Sequence, residues 1–147
     1  MTHEYWMEKA LEEAAKSLAS GDIPVGCVIV KDDRLIAVGH NCREARQTAL
    51  GHAEIVAISE ACRTLGRWRL SDCDLYVTLE PCPMCAGAIL NARLRCVYFG
   101  AREDKTGSCG SIINLFEEPY PCRIPVCGGI LEEKCAAMLQ QFFFTLR

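Results

Sequence analysis

Two short segments of this sequence hold residue types that can do chemistry together: His52-Ala53-Glu54 and Pro81-Cys82-Pro83-Met84-Cys85. Cys82 and Cys85 are three positions apart at what reads as a helix start, so both sulfurs fall on one face and can share a metal ion. The partial positive charge of a helix N-terminus favours thiolate over thiol. Two thiolates and an imidazole suit zinc, which makes His52, Cys82 and Cys85 the candidate ligands of one ion per chain. A fourth protein ligand is not evident, because the remaining histidines are His3, near the chain start, and His40. Three ligands and an open position is the arrangement of catalytic zinc. Such zinc lowers the pKa of water to about 7. Glu54, on the same first turn as His52, is placed to carry protons between that water and a leaving group.

Each element alone is weak. A single Cys-x-x-Cys also occurs in structural zinc sites and redox sites, and a lone histidine at a helix start is commonly a cap or a core residue. A structural zinc site has no use for a carboxylate beside the metal, and a thioredoxin-like pair needs no His-x-Glu before it. The two elements together favour hydrolytic metal chemistry.

Helices and strands must bring these segments together. Trp6, Ala10, Leu11, Ala14 and Leu18 make one apolar helical face over 3–19, stopped by Ser20-Gly21-Asp22. The apolar run 25–30, the turn at Asp32-Asp33 and the run 35–38 predict a hairpin over 25–39. Residues 41–51 read as a loop. Ile55, Ala57, Ile58, Ala61 and Cys62 predict a helix over 52–65, ended by Gly66. A buried strand over 75–79 runs into Glu80-Pro81-Cys82-Pro83, a sharp strand-to-helix junction, and a helix of small residues follows over 85–92. A strand at 96–100, a loop at 101–110, a short helical piece at 112–116, a fifth strand at 123–126 and a helix over 131–144 complete the expected order. This order predicts a mixed sheet covered by helices on both faces, with any small-molecule site at the carboxyl ends of parallel strands.

The 147 residues, half of them hydrophobic, suit one domain with a buried core and exclude disorder as the main state. No apolar run is long enough for a transmembrane helix. The acidic, amphipathic start does not resemble a signal peptide, so a cytoplasmic protein is expected. Lys and Arg number 16 against 19 Asp and Glu, a net charge of −3, which excludes a uniformly basic coat but not a local cationic patch. Arg63, Arg67 and Arg69 cluster, as do Arg93, Arg95, Arg102 and Lys105; a solvated charged surface is the plain alternative. Trp68 is expected to pack against the sheet rather than meet nucleotides. Eleven cysteines, an odd number, do not suggest a disulfide framework, and those outside Cys82 and Cys85 read as small buried hydrophobes.

His-x-Glu followed by Pro-Cys-x-x-Cys is the signature of zinc-dependent deaminases. The sequence resembles the bacterial tRNA adenosine deaminases over nearly its whole length. The resemblance rests on His3-Glu4-Tyr5-Trp6-Met7, Ile23 to Cys27, His52 to Ile55, Leu75 to Cys85 (LYVTLEPCPMC), Ala86-Gly87-Ala88, Phe99 to Arg102, Lys105-Thr106-Gly107 and Phe142-Phe143. It implies one deaminase domain over 1–147 with a cytidine-deaminase-like α/β/α sandwich around a mixed five-stranded sheet. It also implies zinc on His52, Cys82 and Cys85, with Glu54 moving the proton. Water would displace ammonia at C6 of the wobble adenosine in the anticodon stem-loop of an arginine tRNA, leaving inosine. Asn41, Ala53, Arg102, Glu103 and Lys105 would contact substrate, and the protein would be a homodimer. For Asn41 a turn-capping role stands beside this, and for 102–105 a solvated loop. The physics suits a loop substrate, since a base in an anticodon loop costs little to splay out.

Three departures bear on substrate. Thr48-Ala49-Leu50-Gly51 replaces the family's Asp-Pro-Thr-Ala before the metal histidine, Glu103 stands where Asp is frequent, and many relatives carry basic residues past the position of Arg147. A deaminase of a free base or nucleoside, of guanine or cytosine type, would share every catalytic residue. A noncatalytic zinc-bound RNA-binding subunit is the alternative from another class, and Glu54 argues against it.

Overall fold

The computed structural model describes residues 1–146. Five strands form one sheet in the order β2-β1-β3-β4-β5: β1 Gly26–Lys31, β2 Arg34–His40, β3 Asp74–Leu79, β4 Cys96–Ala101 and β5 Val126–Cys127. Strand β1 is antiparallel to both neighbours, while β3, β4 and β5 run parallel. The helices are α1 His3–Ala15, α2 Arg43–Arg46, α3 Ala53–Leu65, α4 Pro83–Ala92 and α5 Glu132–Thr145.

Side-chain alternation builds the layers, because successive residues of a strand face opposite sides of the sheet. Cys27, Ile29, Leu75, Val77, Val97 and Phe99 pack with Ala53, Ala57, Ala61 and Ile89 of α3 and α4. Val28, Val30 and Tyr76 pack on the other side with Trp6, Met7, Ala10 and Leu11 of α1 and Cys135 of α5. The result is a three-layer α/β/α sandwich on a mixed five-stranded sheet, as the element order implies. Both strands are covered on two faces, which explains why β1 and β3 read as nearly continuous apolar runs rather than as an alternating pattern.

The differences from the sequence expectation lie at element ends and in the 41–51 loop. The first helix stops at Ala15, and 16–20 tightens into a 3-10 turn closed by Gly21 in the left-handed conformation. Asp32 and Asp33 both take positive φ, as a tight hairpin turn requires. The polar stretch 41–51 contains the one-turn helix α2. The short helical piece expected at 112–116 lies at Leu115–Glu117, where the Asn114 side chain caps it by accepting from the Phe116 amide. The fifth strand is reduced to Val126–Cys127, at the sheet edge. Among the described residues no helix is long and apolar enough to cross a membrane.

Candidate active site

Because β1 is antiparallel to both β2 and β3, those two strands run the same way and end at the same edge of the sheet. His52 lies beyond the end of β2 and Cys82 just beyond the end of β3, so two residues thirty apart in sequence meet across the start of β1. Gly39 allows α3 to lie down on β2 at this point: a Cβ there would stand 2.3 Å from the Ala53 carbonyl oxygen. His52 is the N-cap of α3 and Cys82 the N-cap of α4, with Pro83 in the first turn, where its missing N–H is no loss.

His52 Nδ1 lies 3.6 Å from Cys82 Sγ and 3.5 Å from Cys85 Sγ. One donor atom from each of the three residues lies within 4.8 Å of the others. Tetrahedral zinc bonded at the usual lengths to nitrogen and sulfur holds those atoms about 3.6 Å apart, so the donor set fits zinc without rearrangement. Cys85 is fully buried and closes the back of the cluster, while His52 and Cys82 are half-buried and face the cavity.

The electrostatics of these three side chains point the same way. The Cys85 thiol and then His52 hydrogen-bond the Cys82 sulfur and hold its pKa down to about 4. Cys85 is pushed far up, first by donating a hydrogen bond to the Cys82 sulfur and then by burial. The pair therefore shares one proton, which a divalent cation would displace. His52 is raised, chiefly by its bond to Cys82.

Glu54 is 4% exposed and lines the same cavity as His52 and Cys82. Burial pushes its carboxyl up to about 7, against smaller opposing effects from its own backbone amide and from His52. A buried carboxyl beside such a donor set is placed to take and give a proton.

The cavity holds about 430 Å³ and lies at the strand ends expected for this topology. The Asn41 side-chain oxygen accepts the Ala53 amide at 2.9 Å, which satisfies an orphan donor at the start of α3. That fixes the amide group, so its NH2 is the donor left to the cavity that Asn41 lines. The capping role and the base-binding role thus use opposite ends of one side chain. Ala53 itself is buried and spends its amide on Asn41. Arg102, Glu103 and Lys105 line the rim with Arg43 and Asp104. The Glu103 carboxylate accepts the Lys105 amide at 3.0 Å, so it shapes its own loop.

Other sequence signals resolve differently. Arg63 pairs with Glu60 and Arg67 with Asp72, so most of that cationic cluster is neutralised locally. Trp68 does not pack on the sheet: it is 55% exposed and carries the Arg69 guanidinium 4.6 Å above its ring. The preceding Gly66 ends α3 in the left-handed conformation, and the chain is fully buried again at Leu70. All eleven cysteines are free.

Two buried carboxylates escaped the sequence reading. Asp22 accepts the Glu44 and Ala45 amides at 2.7 and 3.2 Å and anchors α2. Glu80 anchors the loop after β4. The only sequence signal for either was an acid set among residues that form a turn or junction. The wall formed by Ala136, Leu139, Gln140 and Phe143 was missed as well, although the spacing marks one face of α5.

A family profile for the cytidine and deoxycytidylate deaminase zinc-binding region matches residues 1–101. A tRNA-specific adenosine deaminase of Bacillus subtilis (strain 168) is 47% identical over 145 residues, covering 98% of this chain and 90% of the relative. A solved structure from work on A-to-I editing by tRNA:A34 deaminases at the wobble position superposes with a TM-score of 0.87 at 41% identity, over 92% of this chain and 99% of that one. The guanine deaminase of Nitrosomonas europaea superposes with a TM-score of 0.85 at 27% identity, over 96% and 84% of the two chains.

Proposed function

This chain belongs to the cytidine and deoxycytidylate deaminase family, and from that premise we propose that it is a tRNA adenosine deaminase converting the wobble adenosine of an arginine tRNA to inosine. The observation that carries the reading is a buried carboxylate, Glu54, beside a cluster of one imidazole and two cysteine sulfurs at the floor of a cavity with Arg43, Arg102 and Lys105 on its rim. The match to tRNA deaminase relatives supports the substrate class.

In the proposed mechanism His52, Cys82 and Cys85 hold one zinc ion. Zinc bound there supplies the Lewis acidity that makes water a nucleophile at neutral pH. Glu54 takes the proton from the attacking water and returns it to the base. Water adds at C6, the C6–N bond breaks, and adenosine plus water gives inosine plus ammonia. Asn41 donates from its side-chain NH2 to an acceptor on the base edge, and Ala53 acts through it by fixing that amide. Arg102 and Lys105 meet the phosphates flanking the flipped nucleotide, and such contacts supply salt-dependent affinity without reading sequence. Glu103 sets the shape of the loop that carries them. The 147 residues act as one deaminase domain, as a homodimer, in the cytoplasm where tRNA is available.

A deaminase of free guanine is the second reading, favoured by the likeness to the Nitrosomonas enzyme. Zinc-loaded protein is incubated with total tRNA, which is then reverse-transcribed, and in parallel with free guanine, cytosine and adenosine. A-to-G reads at the first anticodon position of arginine tRNA are expected. Release of ammonia from guanine with no inosine in the RNA would overturn the reading.

A further inference from the structure

The mechanism gives no part to Glu80, yet this carboxylate is 2% exposed at the end of β3, immediately before Pro81 and the metal-cluster residue Cys82. A buried carboxylate persists only where donors fill its oxygens. Here every hydrogen-bonding donor comes from one loop. Oε1 accepts the Glu103 amide at 3.1 Å and the Ser111 hydroxyl. Oε2 accepts the Cys109 and Ser111 amides at 2.9 and 3.1 Å. The residues between these tethers include Asp104, Lys105 and Thr106, which line the cavity together with Arg102 and Glu103.

Gly107 is the matching concession by the loop. A Cβ there would stand 2.6 Å from the Glu80 carboxylate carbon and 2.4 Å from the Glu103 carbonyl oxygen. The next amide, of Ser108, donates to the Pro81 carbonyl at 2.9 Å. One three-residue segment, Glu80-Pro81-Cys82, thus ties down the rim loop with its first two members and offers a metal donor with its third.

We propose that Glu80 is a positioning residue that sets the height of the 102–106 loop above the cavity floor, and so governs affinity for RNA rather than proton transfer at Glu54. The geometry supports this: four donors of the loop, the Glu103, Cys109 and Ser111 amides and the Ser111 hydroxyl, fill both oxygens of the carboxylate. The inference rests on the tRNA deaminase reading of the site for its functional half and on the hydrogen bonds alone for its structural half.

The test uses zinc-loaded Glu80→Gln, which keeps the size but turns one acceptor into an NH2 facing N–H donors, and Gly107→Ala, which pushes the carboxylate off the loop from the opposite side. Three quantities are measured: zinc per chain, hydrogen exchange at the Glu103, Cys109 and Ser111 amides, and kcat and KM on an anticodon hairpin with adenosine at its first position. Both variants are expected to keep zinc near one per chain. Exchange at those amides rises, and KM rises roughly tenfold, the scale of one charge-assisted hydrogen bond, with kcat changed by less than about threefold. A variant that folds with unchanged exchange overturns the tether, and one that loses kcat at constant KM overturns the affinity role. Should the wild type leave the hairpin untouched, the tRNA reading falls, while amide exchange still decides whether Glu80 holds the loop. Gly107→Ala carries the test if Glu80→Gln does not fold.

Discussion

Glu54 is held where its charge is unwelcome, and replacing it with Gln should therefore cost activity and increase stability in the same molecule. Burial raises its carboxyl from 4.5 to about 7. The folded metal-free protein thus binds this proton more tightly than the unfolded chain does. The contribution of Glu54 to wild-type stability falls as pH rises from about 4.5 to about 7 and is flat above. The full difference corresponds to about 3 kcal/mol, at about 1.4 kcal/mol per tenfold change in proton affinity. Gln is neutral throughout, so Glu54→Gln should gain nothing near pH 4 and up to about 3 kcal/mol at pH 8. Urea denaturation of chelator-stripped protein reads this as a midpoint shift of roughly 1–2 M at pH 8. Deamination by the zinc-loaded variant should fall by about 10² to 10⁴, the usual worth of a general acid–base, with zinc content near one per chain. A stability gain that is equal at pH 5 and pH 8, or a variant keeping more than about a tenth of wild-type turnover, would refute the assignment of Glu54 as a buried proton carrier.

Removing a metal donor should act on fold and chemistry together: Cys82→Ser is expected to lose zinc by elemental analysis, lose turnover and melt earlier, and unchanged zinc would count against this ligand. Asn41→Ala strips the acceptor from the Ala53 amide and should cost about 1–2 kcal/mol by thermal or urea melting. Asn41→Asp restores the cap but not the side-chain N–H, so stability returns while activity stays low. Asp22→Asn weakens the anchor of α2. Burial raises the Asp22 carboxyl, but the Ser20 hydroxyl and the Glu44 and Ala45 amides lower it more. The wild-type advantage should therefore be complete above about pH 4, the unfolded value, and vanish as pH falls through the lower folded value, checked by melting both proteins across that range.

The chemistry of this protein is legible in its linear order because helix starts are local. Cys82 and Cys85 share a face through helical spacing alone, and His52 and Glu54 share a first turn for the same reason. The layer order, too, follows from hydrophobic period and turn residues. What those signals do not contain is the pairing of β1 with both β2 and β3, which alone brings the ends of β2 and β3 to one edge and joins imidazole to thiols. Nor do they contain the state of a charge. Glu54, Glu80 and Asp22 are the same chemistry in a sequence, yet burial raises the first, while surrounding serine hydroxyls and amides lower the other two. The fate of Trp68 was hidden likewise, because its exposure depends on where the turn after α3 directs the chain. Spacing decides which groups can act together; solvent exclusion and the donors around each group, which exist only once distant segments have packed, decide what each one does.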